Sequence, residues 1–275
     1  MKNRIDRSLA IKLLMLYENN DIYLTKDNRY SELKSVLLQD EYIELSDIAE
    51  FVDMTKKSNY TNFIYDINKK ILISKLFNKN EVLTDIKFSK LQYIKFNEFD
   101  KKRCDQVLDI IINTKCKGLI LDLRENIGGI VRECYRIMDI LVPNQQLLKL
   151  YRKNEEINHS SEGIYRQFER IYVLLSEQSA SCSEMLSMVL KLKKKNVFLL
   201  GKKQEFKECT QLTIYNRKLN YKLCIADSIW KVDSAGASDL KYYLLKDNIL
   251  DVSYNKFDDY MKSILELEKI NNYVN

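Results

Sequence analysis

Along the first 88 residues the apolar positions recur at helical spacing in short stretches. "RSLAIKLLMLYE" and "ELSDIAEFVDM" each line one face with aliphatic side chains and predict amphipathic helices, with Ser46 a candidate cap of the second. "NFIYDINKKILISKLF" predicts two strands turning at Asn68-Lys69. From residue 89 strands and helices alternate. "KLQYIKFNEF" (90–99), "GLILDLR" (118–124), "RIYVLLSE" (170–177) and "NVFLLGK" (196–202) predict strands, as do "TQLTIYN" (210–216) and "YKLCIADSIWKV" (221–232). Between them, "KRCDQVLDIIINT" (102–114), "GGIVRECYRIMDILV" (128–142) and "SEMLSMVLKLKK" (183–194) predict helices. Such alternation implies an α/β layered domain with parallel strands. The expected division is therefore residues 1–88, a helical and hairpin region, and residues 89–275, an α/β domain.

Composition narrows the function classes. Hydrophobic residues at 45% and charged residues at 31% suit a water-soluble globular chain, and no stretch is long enough to cross a membrane. The N-terminus "MKNRIDRSLAIKLLML" starts like an export signal, but Lys12 interrupts the apolar run and no small-residue cleavage site follows. Six cysteines (104, 116, 134, 182, 209 and 224) without a CxxC pair, and a single histidine, argue against a zinc site and for a reducing compartment. A cytoplasmic location is expected. The net charge of +6 is spread out, and its densest run, Lys191–Lys195, falls at a helix end where cations suit the dipole. No aromatics interleave with it, so nucleic acid is not an expected partner.

Candidate chemistry gathers where strands pass into helices, the usual place in α/β sheets. Ser181, three residues before Glu184, matches a capping box, which is the favoured reading of the stretch taken alone. The sharper reading is a nucleophile at the positive end of a helix dipole, which needs a base and an oxyanion hole besides. Gly128-Gly129 is the only glycine pair in a chain with six glycines, and it follows a buried strand. It could turn the chain or free backbone N–H groups for an anion. His159 lies in "EEINHSSEG", a polar segment expected to be an exposed loop, which is an unpromising setting for a triad base. A desolvated lysine is the other route to a base, and composition does not choose one.

"GLILDLRENIGG", "SEQSASCSEML" and "GKKQEFKECTQ" occur in the order and approximate spacing of the carboxyl-terminal processing (tail-specific) proteases, whose motifs resemble LILDLRNNPGG, SASASE and G-K-x-x-x-Q. "LQYIKFNEFD" and "GASDL" (236–240) resemble two further segments of that family, so the likeness covers about residues 89–245. The resemblance implies a ClpP/crotonase-like α/β core and a serine endopeptidase acting through an acyl-enzyme. It implies Ser181 as nucleophile, Lys207 as base and Gln211 as the residue orienting the lysine. The oxyanion hole it implies combines the Cys182 N–H with one from the glycine pair, Gly128 or Gly129. No cofactor or metal is implied.

The chain departs from the family pattern at Ile127, where proline is usual, and at Phe206 and Glu208, which replace glycines beside Lys207. One extra residue lies between Glu184 and Gly201. Residues 1–117 contain no glycine, which argues against an ordinary PDZ domain there. The expected partner is an extended polypeptide or peptide precursor bound by strand addition. The apolar side chains of residues 1–88 must bury against the core or a second copy of the chain. Two other readings use the same fold: a peptide-binding relative that does not cut, and crotonase-type acyl-CoA chemistry, which needs neither Ser181 nor Lys207.

Overall fold

The structure, a computed structural model, describes residues 3–65, 83–88, 90–161, 163, 165–250 and 252–274. Packing divides the chain into two units. One gathers Met1–Lys79, Tyr151–Ile157 and Cys209–Ile229; the other gathers Asn80–Leu150, Asn158–Glu208 and Trp230–Asn275. Two segments from beyond residue 89 thus pack with the N-terminal third.

The first unit opens with strand β1 (Arg4–Asp6), helix α1 (Arg7–Asn20), helix α2 (Asn28–Leu37), strand β2 (Tyr42–Glu44) and helix α3 (Leu45–Thr55). Aspartates start the first two helices: Asp6 accepts from the Leu9 N–H at 2.8 Å and Asp27 from the Tyr30 N–H at 2.8 Å. The third has Glu44 at its N-cap with no side-chain cap. Ser46 is therefore not the cap that its position suggests; it lies inside the helix and its hydroxyl donates to Asp47. Strand β3 (Asn62–Tyr65) pairs antiparallel with the later strand running Tyr221–Lys231, placing Tyr65 opposite Tyr221. The turn expected at Asn68-Lys69 and the strand after it lie outside the described residues. The core of this unit joins Leu13, Leu14, Tyr17, Ile48 and Phe51 to Phe63, Leu223 and Ile225.

The second unit contains β4 (Leu83–Phe88), β5 (Leu91–Lys95), α4 (Lys101–Asn113), β6 (Gly118–Asp122) and α5 (Val131–Leu141). It continues through β7 (Gln146–Arg152), β8 (Glu156–Ser160), β9 (Arg170–Leu175), α6 (Cys182–Lys193) and β10 (Val197–Gly201). β11 (Cys209–Asn216) and nearly all of β12 (Tyr221–Lys231) belong to the first unit, and the second closes with α7 (Leu240–Asp247) and α8 (Phe257–Val274). Its sheet has the order β10-β9-β6-β5-β4, parallel throughout except for antiparallel β4. Central β6, "GLILD", is buried at every position, as a parallel strand covered on both faces must be. One face packs Tyr93, Ile120, Tyr172 and Leu200 with Tyr260 and Ile264 of α8. Alternate residues Leu119, Leu121, Ile171 and Val173 are fully buried on the other face. The protein is a mixed α/β fold, as the alternation implies.

The segment around His159 is not a loop. It forms β8, and the imidazole stacks on Tyr135 with ring centroids 3.7 Å apart. The glycine pair likewise precedes α5 rather than belonging to it. The lysine-rich end of α6 is taken up internally: Lys191 pairs with Asp247 at 2.6 Å, Lys193 with Asp233 at 2.7 Å, and Lys194 donates to the Tyr165 hydroxyl at 2.6 Å.

Candidate active site

β6 and β9 are parallel neighbours, and their carboxyl ends deliver two turns to one place. After β6 the chain passes through Asn126, Ile127 and the glycine pair. Phe99 N–H donates to the Gly128 carbonyl at 2.8 Å, and Ile130 N–H donates to the Phe99 carbonyl at 2.7 Å. Both glycines have positive φ, +95° and +147°. A side chain at Gly128 would lie 2.7 Å from Ser181 Cβ and 3.2 Å from the Cys182 nitrogen. Only glycine fits a backbone so close to the serine.

Ser181 itself stands at φ 57°, ψ −112°, a conformation that L-residues other than glycine seldom adopt. Its N–H donates to Glu184 Oε2 at 2.6 Å, while the Glu184 N–H donates to the Ser181 carbonyl at 3.0 Å. The hydroxyl makes no capping hydrogen bond. Only the carboxylate half of the capping box is therefore in use, and Oγ is not consumed by starting the helix. The Cys182 N–H, at the first position of α6, has no acceptor among the described residues, as expected for a helix start.

Glu184 is fully buried. Besides the Ser181 N–H it accepts the Lys207 N–H, at 3.2 Å to Oε1 and 3.3 Å to Oε2. Lys203, itself buried, brings its ammonium to 3.5 Å. Burial pushes the Glu184 carboxyl above the usual carboxylate range, against the pull of Lys203 and of the two N–H donors. Beside it, a hydrogen bond with Cys134 holds the Cys182 thiol below its usual range; the Ser181 hydroxyl and the Lys207 charge act in the same direction. Glu208 turns its carboxylate to the Ser238 N–H at 3.2 Å, and its carbonyl accepts from Trp230 at 3.2 Å.

Asn126, which the pattern of the sequence did not single out, ties the two turns together. Its amide donates to the Phe96 carbonyl at 3.0 Å, and its Oδ1 accepts from the Gly128 N–H at 2.9 Å and from the Ser183 hydroxyl at 2.8 Å. Its carbonyl accepts from the Ala180 N–H at 3.0 Å. The Gly128 N–H is thereby occupied, whereas Gly129 is exposed and its N–H has no described acceptor. Within this unit the structure brings together Ser181, Cys182, Gly128, Gly129 and Lys207. Gln211 belongs to the other unit. It sits at an irregularity in the β11–β12 register and donates its amide to the Tyr60 carbonyl.

At the carboxyl end of the parallel sheet, a serine of positive φ thus stands at a strand-to-helix turn beside a glycine pair. The chain matches the model of peptidase family S41 over residues 90–227, and it belongs to that family. Membership supports serine peptidase activity. No curated protein matches the chain by sequence. Among solved structures it is similar to a lipoprotein from Streptococcus agalactiae, with a TM-score of 0.67 and 14% identity over 83% of this chain and 86% of that one. It is also similar to a photosystem II D1 C-terminal processing protease, with a TM-score of 0.43 and 17% identity over 65% of this chain and 45% of that one. Among the described residues no helix is long and apolar enough to cross a membrane, and no group of acidic, histidine or cysteine side chains is arranged to hold a metal.

Proposed function

We propose that this S41 member is an endopeptidase in which Ser181 Oγ attacks the peptide carbonyl and Lys207 is the base. The observation carrying the reading is the shared carboxylate. Backbone N–H groups of Ser181 and Lys207 both lie within 3.3 Å of Glu184 Oε2, so one buried side chain holds nucleophile and base segments in register. As the free amine, Lys207 takes the Oγ proton while the O–C bond forms. It then returns that proton to the leaving amine as the C–N bond breaks, and water hydrolyses the acyl-enzyme. The oxyanion sits between the Cys182 N–H and the Gly129 N–H, with the Gly128 N–H engaged by Asn126. Losing one such donor costs about 10²–10³ in rate. Gln211 is the residue proposed to orient Lys207, and the substrate is an extended polypeptide or a peptide precursor. Six scattered cysteines without a CxxC pair support work in a reducing compartment.

The test is labelling with a serine-directed phosphonate, read by intact mass, on the wild type, Ser181→Ala and Lys207→Ala. One adduct on the wild type and none on either variant is the expected result. A folded wild-type protein that takes no label up to about pH 9, where lysine begins to deprotonate, would overturn the dyad. It would favour the peptide-binding reading.

A further inference from the structure

The second unit carries a cleft of about 880 Å³ that the chemistry above does not use. One wall is Gly201–Gln204, the chain leaving β10; the other is formed by residues of α7 and beyond it, among them Lys241, Leu244, Leu245, Ile249, Val252 and Tyr254. The walls are fastened together: Asn248 accepts from the Gly201 N–H at 3.1 Å and donates to the Gly201 carbonyl at 2.7 Å. They are also fastened to the candidate active site. The Gln204 N–H donates to Glu177, on the turn leading to Ser181, at 3.0 Å, and Lys203 reaches Glu184 at 3.5 Å. The residues from this wall run directly into Lys207. A chain lying in the cleft therefore passes along the segment that holds the proposed base.

The lining has a definite chemistry. Leu244, Leu245, Ile249 and Val252 are apolar, and Leu245 is left 70% exposed. Every charged side chain among the described lining residues is a lysine. Lys203 is committed to Glu184, but Lys202 and Lys241 are exposed and form no ion pair with any described residue. Three nearby carboxylates are engaged elsewhere: Asp247 on Lys191, Glu184 on Lys203, and Glu177 on the Gln204 N–H. Two exposed cations without an ion-pair partner among the described residues, over an apolar floor, suit acidic side chains set among apolar ones.

We infer that this cleft is a subsite that holds an acidic, apolar-flanked segment of the polypeptide substrate, with Lys202 and Lys241 reading its carboxylates. The inference rests on the peptidase reading for the word substrate, but its test does not need turnover. Full-length Ser181→Ala protein is titrated with two fluorescent decapeptides of equal apolar content, one with two glutamates and one with two lysines, at about 50 mM and 300 mM salt. The acidic peptide is expected to bind at least tenfold more tightly at low salt, with the margin shrinking at high salt. Lys202→Glu and Lys241→Glu should each weaken it about threefold or more, the scale of single exposed charge pairs. The double variant should prefer the basic peptide. Lys115→Glu, an exposed lysine outside the cleft, makes the same change in net charge and should leave the preference intact. Equal affinity for the two peptides, no binding of either, or an effect of Lys115→Glu as large as those of the cleft variants would each overturn the subsite. Phosphonate labelling of the wild type reports separately on the dyad, so failure of one is not mistaken for failure of the other.

Discussion

Ser181 combines two things that seldom coincide in a residue with a side chain, a positive φ and a hydroxyl left out of the helix cap. Holding such a conformation costs about 1–3 kcal/mol, and it persists only where neighbours over-determine it. Here the neighbours are Gly128, packed under the serine, and Glu184, gripping its N–H. Gly128→Ala tests the first. Its new Cβ would sit 2.7 Å from Ser181 Cβ and 2.8 Å from the Ala180 carbonyl oxygen, at a φ that alanine resists. The variant should lose at least about 2 kcal/mol of stability, together with phosphonate labelling, as measured by urea unfolding and mass. Unchanged labelling with unchanged stability would show that the turn is not constrained as drawn. Both partners were legible in the sequence because each is local: a scarce glycine pair after an apolar strand, and a serine three residues ahead of a glutamate. Whether the hydroxyl was spent on the cap was not legible, since that depends on one torsion angle.

At the scale of elements, α6 owes its entrance to a buried ion pair brought from the other side of β10. Lys203 and Glu184 are 3% and 0% exposed at the side chain, so both ions have left water and their attraction offsets only part of that cost. With the Glu184 carboxyl raised by burial, its contribution to stability is largest below the ordinary glutamate value of 4.5 and is lost as pH rises through the folded value. Lys203→Met should therefore cost about 3 kcal/mol near pH 8 and clearly less near pH 5, where the stranded carboxyl takes up a proton. Glu184→Gln combined with Lys203→Met removes the charge and keeps an acceptor for the two N–H groups. It should recover most of the loss at pH 8, so the two changes are strongly non-additive in unfolding free energy. Additive costs, or a penalty independent of pH, would sink the account. Neither Lys203 nor Asn126 stood out in the sequence. The first is one lysine in a lysine-rich chain and the second one of many asparagines, and their importance comes from partners met only after the sheet forms. His159 misled for the opposite reason: a polar run reads as a loop, yet alternate residues of a strand face solvent and can look the same.

For the whole molecule, the alternation of strands and helices after residue 89 was enough to foresee the parallel sheet, because two of its crossovers, β5–α4–β6 and β9–α6–β10, are built from adjacent elements. The sorting of the chain into units was not legible, because it depends on pairings such as Leu223 with Phe63 between residues far apart in sequence. Both units bury cysteines: Cys209 and Cys224 in the first, Cys104, Cys116, Cys134 and Cys182 in the second. Burial alone should keep them from aromatic disulfide reagents, and ionisation adds to this for two of them, since burial pushes Cys104 up to about 12 and Cys134 well above its usual range. Cys182 runs the other way in ionisation but is enclosed, so closed packing rather than low thiolate content must protect it. The native protein should then show no fast thiol, the denaturant-unfolded protein six without added reductant, and the melting temperature should be the same with and without reductant. A fast native thiol that disappears in Cys182→Ala would mean that the entrance of α6 opens to solvent, exposing the backbone beside Ser181. Fewer than six thiols on unfolding would mean that a pair had been oxidised.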